Sequence, residues 1–171
     1  MNKLSSHFYI FSGLPAVGKT TLAKSLSNRL RAVYLRVDTV EKALIDLCNY
    51  QVEGEGYRLS YRIASDNLEL GNIVVADSCS PIKLTRWEWQ EVASSKDIPF
   101  TIIEVVCSDI EEHRKRVENR VTDINGLIFP NWNEVIGREY HQWEAETVKI
   151  DTVFRKPKES FIELLGKLNV A

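Results

Sequence analysis

Gly13, Gly18, Lys19 and Thr20 occupy every fixed position of the pattern G-x-x-x-x-G-K-S/T, in the stretch GLPAVGKT. The apolar run Phe8-Tyr9-Ile10-Phe11 lies just before it and reads as a strand, and Thr21-Leu22-Ala23-Lys24-Ser25-Leu26 just after it starts a helix. Strand, glycine loop and helix in that order is the context that makes the pattern a phosphate-binding loop. Backbone N–H groups of such a loop turn inward onto phosphate oxygens, and the new helix points the positive end of its dipole at the same place. The two glycines permit the backbone conformation and the close approach. Gly13, Ala16, Val17, Gly18, Lys19, Thr20 and Thr21 are the candidate nucleotide contacts. Lys19 reaches the β- and γ-phosphates in this reading, and Thr20 offers its hydroxyl to Mg²⁺.

The rest of the chain alternates strand and helix. Apolar β-rich runs are predicted as strands at 7–12, 32–38, 73–77, 100–106 and 148–152. Between them, helices are predicted over 18–30, from a Thr39 cap through Val40, Leu44, Ile45 and Leu47, and over 57–70, 85–95, 110–120 (capped by Asp109) and 132–147. A last helix starts at Pro157, and 52–56 and 122–130 read as breaks. Such alternation predicts an α/β three-layer nucleotide-binding fold, with a five-stranded parallel sheet covered by helices on both faces. No linker or repeat interrupts it, so 1–171 is expected to be one domain, with a lid around 114–131. Ligands in open parallel sheets sit at the carboxyl ends of the strands. Asp38 and Asp77, each read at a strand end, are thereby placed beside the loop.

Composition narrows the partners. A length of 171 residues, 44% of them apolar, is enough to bury a good core. A net charge of −2 gives no general reason to expect nucleic acid. Cys48, Cys79 and Cys107 are far apart, without metal-ligand spacing, and suit reduced thiols. The amino-terminal residues carry no apolar leader, and no apolar run approaches a membrane span, so the cytoplasm is expected.

Three groups carry candidate chemistry. Asp38 can take the proton of a hydroxyl attacking the γ-phosphate or hold that hydroxyl in line, and it can also be a helix-start acid favoured by the dipole. Asp77 closes the run IVVAD, an apolar strand ending on an acid, which suits a second Mg²⁺ contact beside Thr20, direct or through water, or else a substrate contact or a tie to the loop 78–81. Arg116 and Arg120 stand one helical turn apart in the charged stretch EEHRKRVENR. They are candidates to clamp a transferring phosphoryl group, against the plainer reading of a solvated helix with internal ion pairs. His113 reads as a packed or surface histidine rather than a catalyst, and the tryptophans mostly as core and interface. Arg58, Arg62 and Arg86 are either surface ion-pair partners or contacts for an anionic substrate.

GLPAVGKT, RVD at 36–38, VVADS at 74–78, VCSDIEEHRKRVENR at 106–120 and the late REYHQWE and KIDT segments give the chain a family likeness. It resembles the small P-loop kinases of the nucleoside-monophosphate-kinase-like group, and within them the zeta-toxin-like and chloramphenicol-phosphotransferase-like ATP-binding kinases. The resemblance implies bound ATP and Mg²⁺, Asp38 facing the acceptor hydroxyl, Arg116 or Arg120 as the lid arginine, and the segment 151–155 close to adenine. The acceptor segment follows no adenylate, shikimate or gluconate kinase pattern.

The function expected is therefore ATP-dependent transfer of a phosphoryl group to a hydroxyl of a small molecule. A macromolecular or cell-wall acceptor, or a low-turnover regulatory ATP binder, are the alternatives. A GTPase-like switch would need N-K-x-D, which is missing, and Asp123 to Gly126 matches D-x-x-G only far from the loop.

Overall fold

The computed structural model describes residues 6–170. Its strands are β1 (His7–Ser12), β2 (Val33–Arg36), β3 (Ile73–Asp77), β4 (Phe100–Val106) and β5 (Val148–Asp151). They form one five-stranded sheet in the order β2-β3-β1-β4-β5, every pairing parallel. The helices described are α1 (Lys19–Leu30), α2 (Val37–Cys48), α3 (Glu55–Glu69), α4 (Lys83–Ser94), α5 (Ile110–Asn119), α6 (Trp132–Ile136) and α7 (Pro157–Leu168). The fold is thus the α/β nucleotide-binding architecture expected from the strand–helix alternation.

The period-two alternation of β1 divides the core. Tyr9 and Phe11 point to one face of the sheet, where they pack with Leu22, Ala23 and Leu26 of α1 and Leu164 of α7. Phe8 and Ile10 point to the other, against Ala64 and Leu68 of α3 and Trp89 and Ala93 of α4. β1 is central, buried on both faces, and its register sets Phe11 opposite Asp77 of β3 and Ser12 opposite Glu104 of β4. The loop after β1 therefore emerges at the middle of the sheet, between strands whose order reverses there, the position at which ligands bind such sheets.

Several boundaries differ from the sequence expectation. β2 stops at Arg36 and α2 begins at Val37, so Asp38 lies in the first turn of a helix rather than at a strand end. Thr39 is not a cap: it is exposed inside α2, whose cap residue is Arg36, without a side-chain hydrogen bond. The carboxylate of Asp38 takes up the favourable position near the helix's positive end instead. α3 starts two residues early, at Glu55, because the Glu55 carboxylate accepts from the backbone N–H groups of Glu53 and Gly54 at 2.8 and 3.0 Å. The largest departure is the helix expected over 132–147, of which only α6 forms. It stops at Gly137, and the chain beyond runs irregularly across the start of α4, His141 N donating to the Pro81 carbonyl at 2.9 Å. Tyr140 and Trp143 there stack on the Arg86 guanidinium, at 4.8 and 4.1 Å from its central carbon. Arg86 is 3% exposed and donates to the Ser80 carbonyl, so it is neither the surface partner nor the substrate contact expected. That buried cation competes successfully with helix continuation.

Candidate active site

Loop 13–18 is held in a conformation that needs its glycines. Gly13 has φ +142, and a Cβ there would meet the Val105 carbonyl oxygen at 2.2 Å. Gly18 has φ +98 and serves as the cap of α1 with no side-chain hydrogen bond, which leaves the first-turn N–H groups facing outward from the helix start. Ala16 adopts φ 66 between them.

The loop's carbonyls are tied from outside. Lys19 Nζ donates to the Leu14 carbonyl at 2.8 Å, His113 Nε2 to that of Pro15 at 2.8 Å, and Thr152 Oγ1 to that of Val17 at 2.8 Å. Three side chains, from α1, from α5 and from the turn after β5, thus engage the carbonyls of Leu14, Pro15 and Val17, which favours N–H groups turned to the other side. His113, read as either packed or on the surface, is 6% exposed and supports the loop from α5. For this role Thr152 carries no sequence signal beyond closing the KIDT segment, where the last strand meets its loop.

The loop opens into a cavity of about 1300 Å³. Lys19, Thr20, Asp38, Asp77, Arg116 and Arg120 all line it, so every catalytic and metal candidate from the sequence shares one space. Asp77 is 3% exposed at the end of β3 and accepts a hydrogen bond from the Tyr34 hydroxyl at 2.7 Å. Burial and the Asp77 charge push the Tyr34 hydroxyl's pKa far up, so it remains a donor at any physiological pH. Thr20 and Asp77 offer oxygen donors only, the ligand type hard Mg²⁺ takes. Among the described residues no cluster of His, Cys, Asp and Glu forms an all-protein metal cage. The two oxygen donors suit an ion held by one or two protein oxygens together with substrate phosphates and water.

The two arginines part company. Arg116 donates to Glu112 at 2.9 Å and twice to Thr152, at Oγ1 and the carbonyl oxygen, both at 2.8 Å. Arg120 lies past the end of α5 in extended backbone, its guanidinium carbon 3.3 Å from the centroid of the Phe129 ring. It makes no hydrogen bond or ion pair among the described residues. Burial lowers its pKa, against the opposing pull of Asp38. Arg120 is thus the arginine with donors to spare.

Loop 121–131 is fastened across the cavity. Asp123 accepts from Arg36 Nη1 at 2.7 Å and pairs with Lys24 of α1, and these two cations hold its carboxyl well below the usual range. The D-x-x-G match at 123–126 is thus part of this fastening. Arg36, which motif reading marked only as a strand end, is 7% exposed, and its Nε is 3.7 Å from Asp38 Oδ2. One buried guanidinium therefore faces both the loop and the candidate base.

Comparison with known proteins agrees with this architecture. A family model described as an AAA domain matches residues 9–126. APS kinase of Mycobacterium tuberculosis, solved with AMPPNP and APS, superposes with a TM-score of 0.71 at 16% identity, covering 96% of this chain and 98% of that one. A gluconokinase from Sinorhizobium meliloti gives 0.67 at 14% identity, covering 99% and 94%. Kti12 of Chaetomium thermophilum, solved with ADP-AlF3, gives 0.66 at 20% identity, covering 93% and 97%. No curated protein matches the chain by sequence.

Proposed function

The chain belongs to the AAA domain family, and from that premise we propose that it is an ATP-dependent phosphotransferase acting on a hydroxyl of a small molecule. The observation that carries the proposal is the shared cavity, which Asp38 lines together with the phosphate loop, Lys19, Thr20, Asp77 and Arg120. The likeness to solved kinases, one of them with an ATP analogue in its site, supports ATP as the donor. The finer likeness to the zeta-toxin and chloramphenicol-phosphotransferase kinases belongs to the same proposal, as do one domain over 1–171 with 114–131 as its lid, and a cytoplasmic location.

In this reading the loop N–H groups and Lys19 bind the phosphates. The acceptor oxygen forms its bond to the γ-phosphorus while the bond to the β-bridging oxygen breaks, and ADP leaves. Asp38 holds the acceptor hydroxyl in line and receives its proton. Arg120 neutralises charge on the transferring group, and Arg116 lines the same cavity. Mg²⁺, held by Thr20 and Asp77, would offset the charge of the phosphate oxygens. Little covalent chemistry is asked of the protein beyond positioning and charge.

A screen of ATP turnover and thermal stabilisation with Mg-ATP against sugars, nucleosides, amino alcohols and antibiotics tests this. ADP release that depends on an acceptor, and is lost in both Lys19→Ala and Asp38→Ala, is the expected result. Turnover retained in Asp38→Ala removes the assignment of the base. ATP stabilisation without acceptor-dependent turnover favours a macromolecular acceptor or a regulatory ATP binder.

A further inference from the structure

Glu41 has no part in the reaction described above. It follows Asp38 by three positions on α2, so the two side chains leave one face of the helix, with Cβ atoms about 5–6 Å apart. Both line the cavity. Asp38 has the Arg36 guanidinium beside it. Glu41 is only partly exposed and makes no hydrogen bond or ion pair among the described residues.

α3 is built around this carboxyl. A Cβ on Gly56 would fall 2.1 Å from Glu41 Cγ and 3.0 Å from both Cδ and Oε1. A glycine inside the first turn of a helix is disfavoured locally; here it makes the room that Glu41 occupies. The charged groups facing Glu41 are Asp38 on its own helix, Glu55 at the start of α3 and Arg138 after α6. Burial, and then Asp38, push its pKa up to about 7, against Arg138. A carboxyl enclosed on the α3 side, open to the cavity and without a protein donor has unused hydrogen-bond capacity directed at whatever enters.

We infer that Glu41 reads the acceptor: it accepts a hydrogen bond from a second donor, a hydroxyl or an ammonium, next to the hydroxyl that Asp38 holds, so that the acceptor is a polyol or an amino alcohol. This rests on the phosphotransferase reading above. A simple alcohol leaves Glu41 without a partner, and a site that hydrogen-bonds a substrate group discriminates strongly against the analogue lacking it.

The test compares matched acceptors with Mg-ATP: cyclohexanol, inositol and 2-aminocyclohexanol, and 1-propanol, 1,2-propanediol and 1-amino-2-propanol. Wild type, Glu41→Gln and Glu41→Ala are assayed, with melting curves to establish that each is folded. The expected result is a preference of about ten-fold or more in kcat/KM for compounds bearing the neighbouring donor, carried by the acceptor KM and abolished in Glu41→Ala. Glu41→Gln separates the two sources, because its amide oxygen still accepts from a hydroxyl but offers no charge to an ammonium. Equal turnover of the matched compounds, or a preference that persists in Glu41→Ala, overturns the inference while leaving the phosphotransferase in place. Turnover of the simple alcohols alone does the same. If no compound of any kind is phosphorylated, the acceptor class is overturned as well, and the phosphotransferase reading then stands or falls on the wider screen.

Discussion

The Tyr34 hydroxyl donates to Asp77 Oδ2 at 2.7 Å, from the edge strand β2 onto the end of the adjacent strand β3. Asp77 has no other side-chain hydrogen bond or ion pair among the described residues. Tyr34→Phe deletes the donor and leaves a buried carboxylate less well satisfied, which costs about 1–3 kcal/mol in urea unfolding. If Asp77 helps to hold Mg²⁺, the same variant raises the Mg²⁺ needed for half-maximal turnover by roughly ten- to a hundred-fold, the usual effect of removing a partner behind a metal ligand. A stability loss with an unchanged Mg²⁺ requirement would remove Asp77 from the metal site.

Gly13 and Gly18 differ in what surrounds them, and that difference is measurable. At Gly13 an added Cβ meets a backbone oxygen at 2.2 Å, whereas at Gly18 its nearest neighbour is Thr152 Cγ2 at 3.5 Å. Both carry a positive φ, which costs a side chain about 1–2 kcal/mol. Gly13→Ala is therefore expected to lose about 3 kcal/mol or more in denaturant unfolding, because β4 must move as well. Gly18→Ala is expected to lose only the backbone term. Equal losses would mean that the Val105 carbonyl yields easily.

Asp123 should matter more to loop order than to global stability. It is exposed, and exposed ion pairs contribute about 1 kcal/mol or less. It nevertheless joins loop 121–131 to Arg36 and Lys24. Asp123→Ala is expected to change the unfolding free energy by no more than about 1 kcal/mol while accelerating amide hydrogen exchange across the loop. High salt should have a weaker effect of the same kind. Exchange rates unchanged in the variant would show that Phe129 and Arg120 alone fasten the loop.

The fold was legible because its signals are local: apolar runs of strand length, a glycine loop, and helices between them. The loop carried its own function in Gly13, Gly18, Lys19 and Thr20, since the phosphate geometry requires those residue types in that order. What the chain does not display is long-range. The Thr152 and His113 bonds to the loop carbonyls join positions far apart in sequence, and no periodicity marks them. The false helix over 132–147 has the same origin. Its residues have adequate helix propensity, but Tyr140 and Trp143 find a better partner in buried Arg86, which only the folded sheet brings near. Asp38 was misplaced by two residues of secondary structure and still falls in the cavity, because the end of β2 and the start of α2 lie at the same rim.

Glu41 gives the fold a dependence on pH of a defined sign. Its pKa rises from the ordinary carboxyl value of 4.5 to about 7 in the folded protein. Below 4.5 the group is protonated in both states and costs nothing. Between 4.5 and 7 the unfolded chain releases the proton while the folded protein keeps it, so stability falls with rising pH; above 7 the penalty is complete. The carboxyl is part-exposed, and with allowance for solvent screening the penalty is about 1–2 kcal/mol. Glu41→Gln is neutral throughout and keeps nearly the same volume beside Gly56. It should match wild type in urea unfolding at pH 5 within that scale and exceed it at pH 8. A constant difference at both pH values would mean that the carboxyl reaches water freely and that Gly56 serves packing alone.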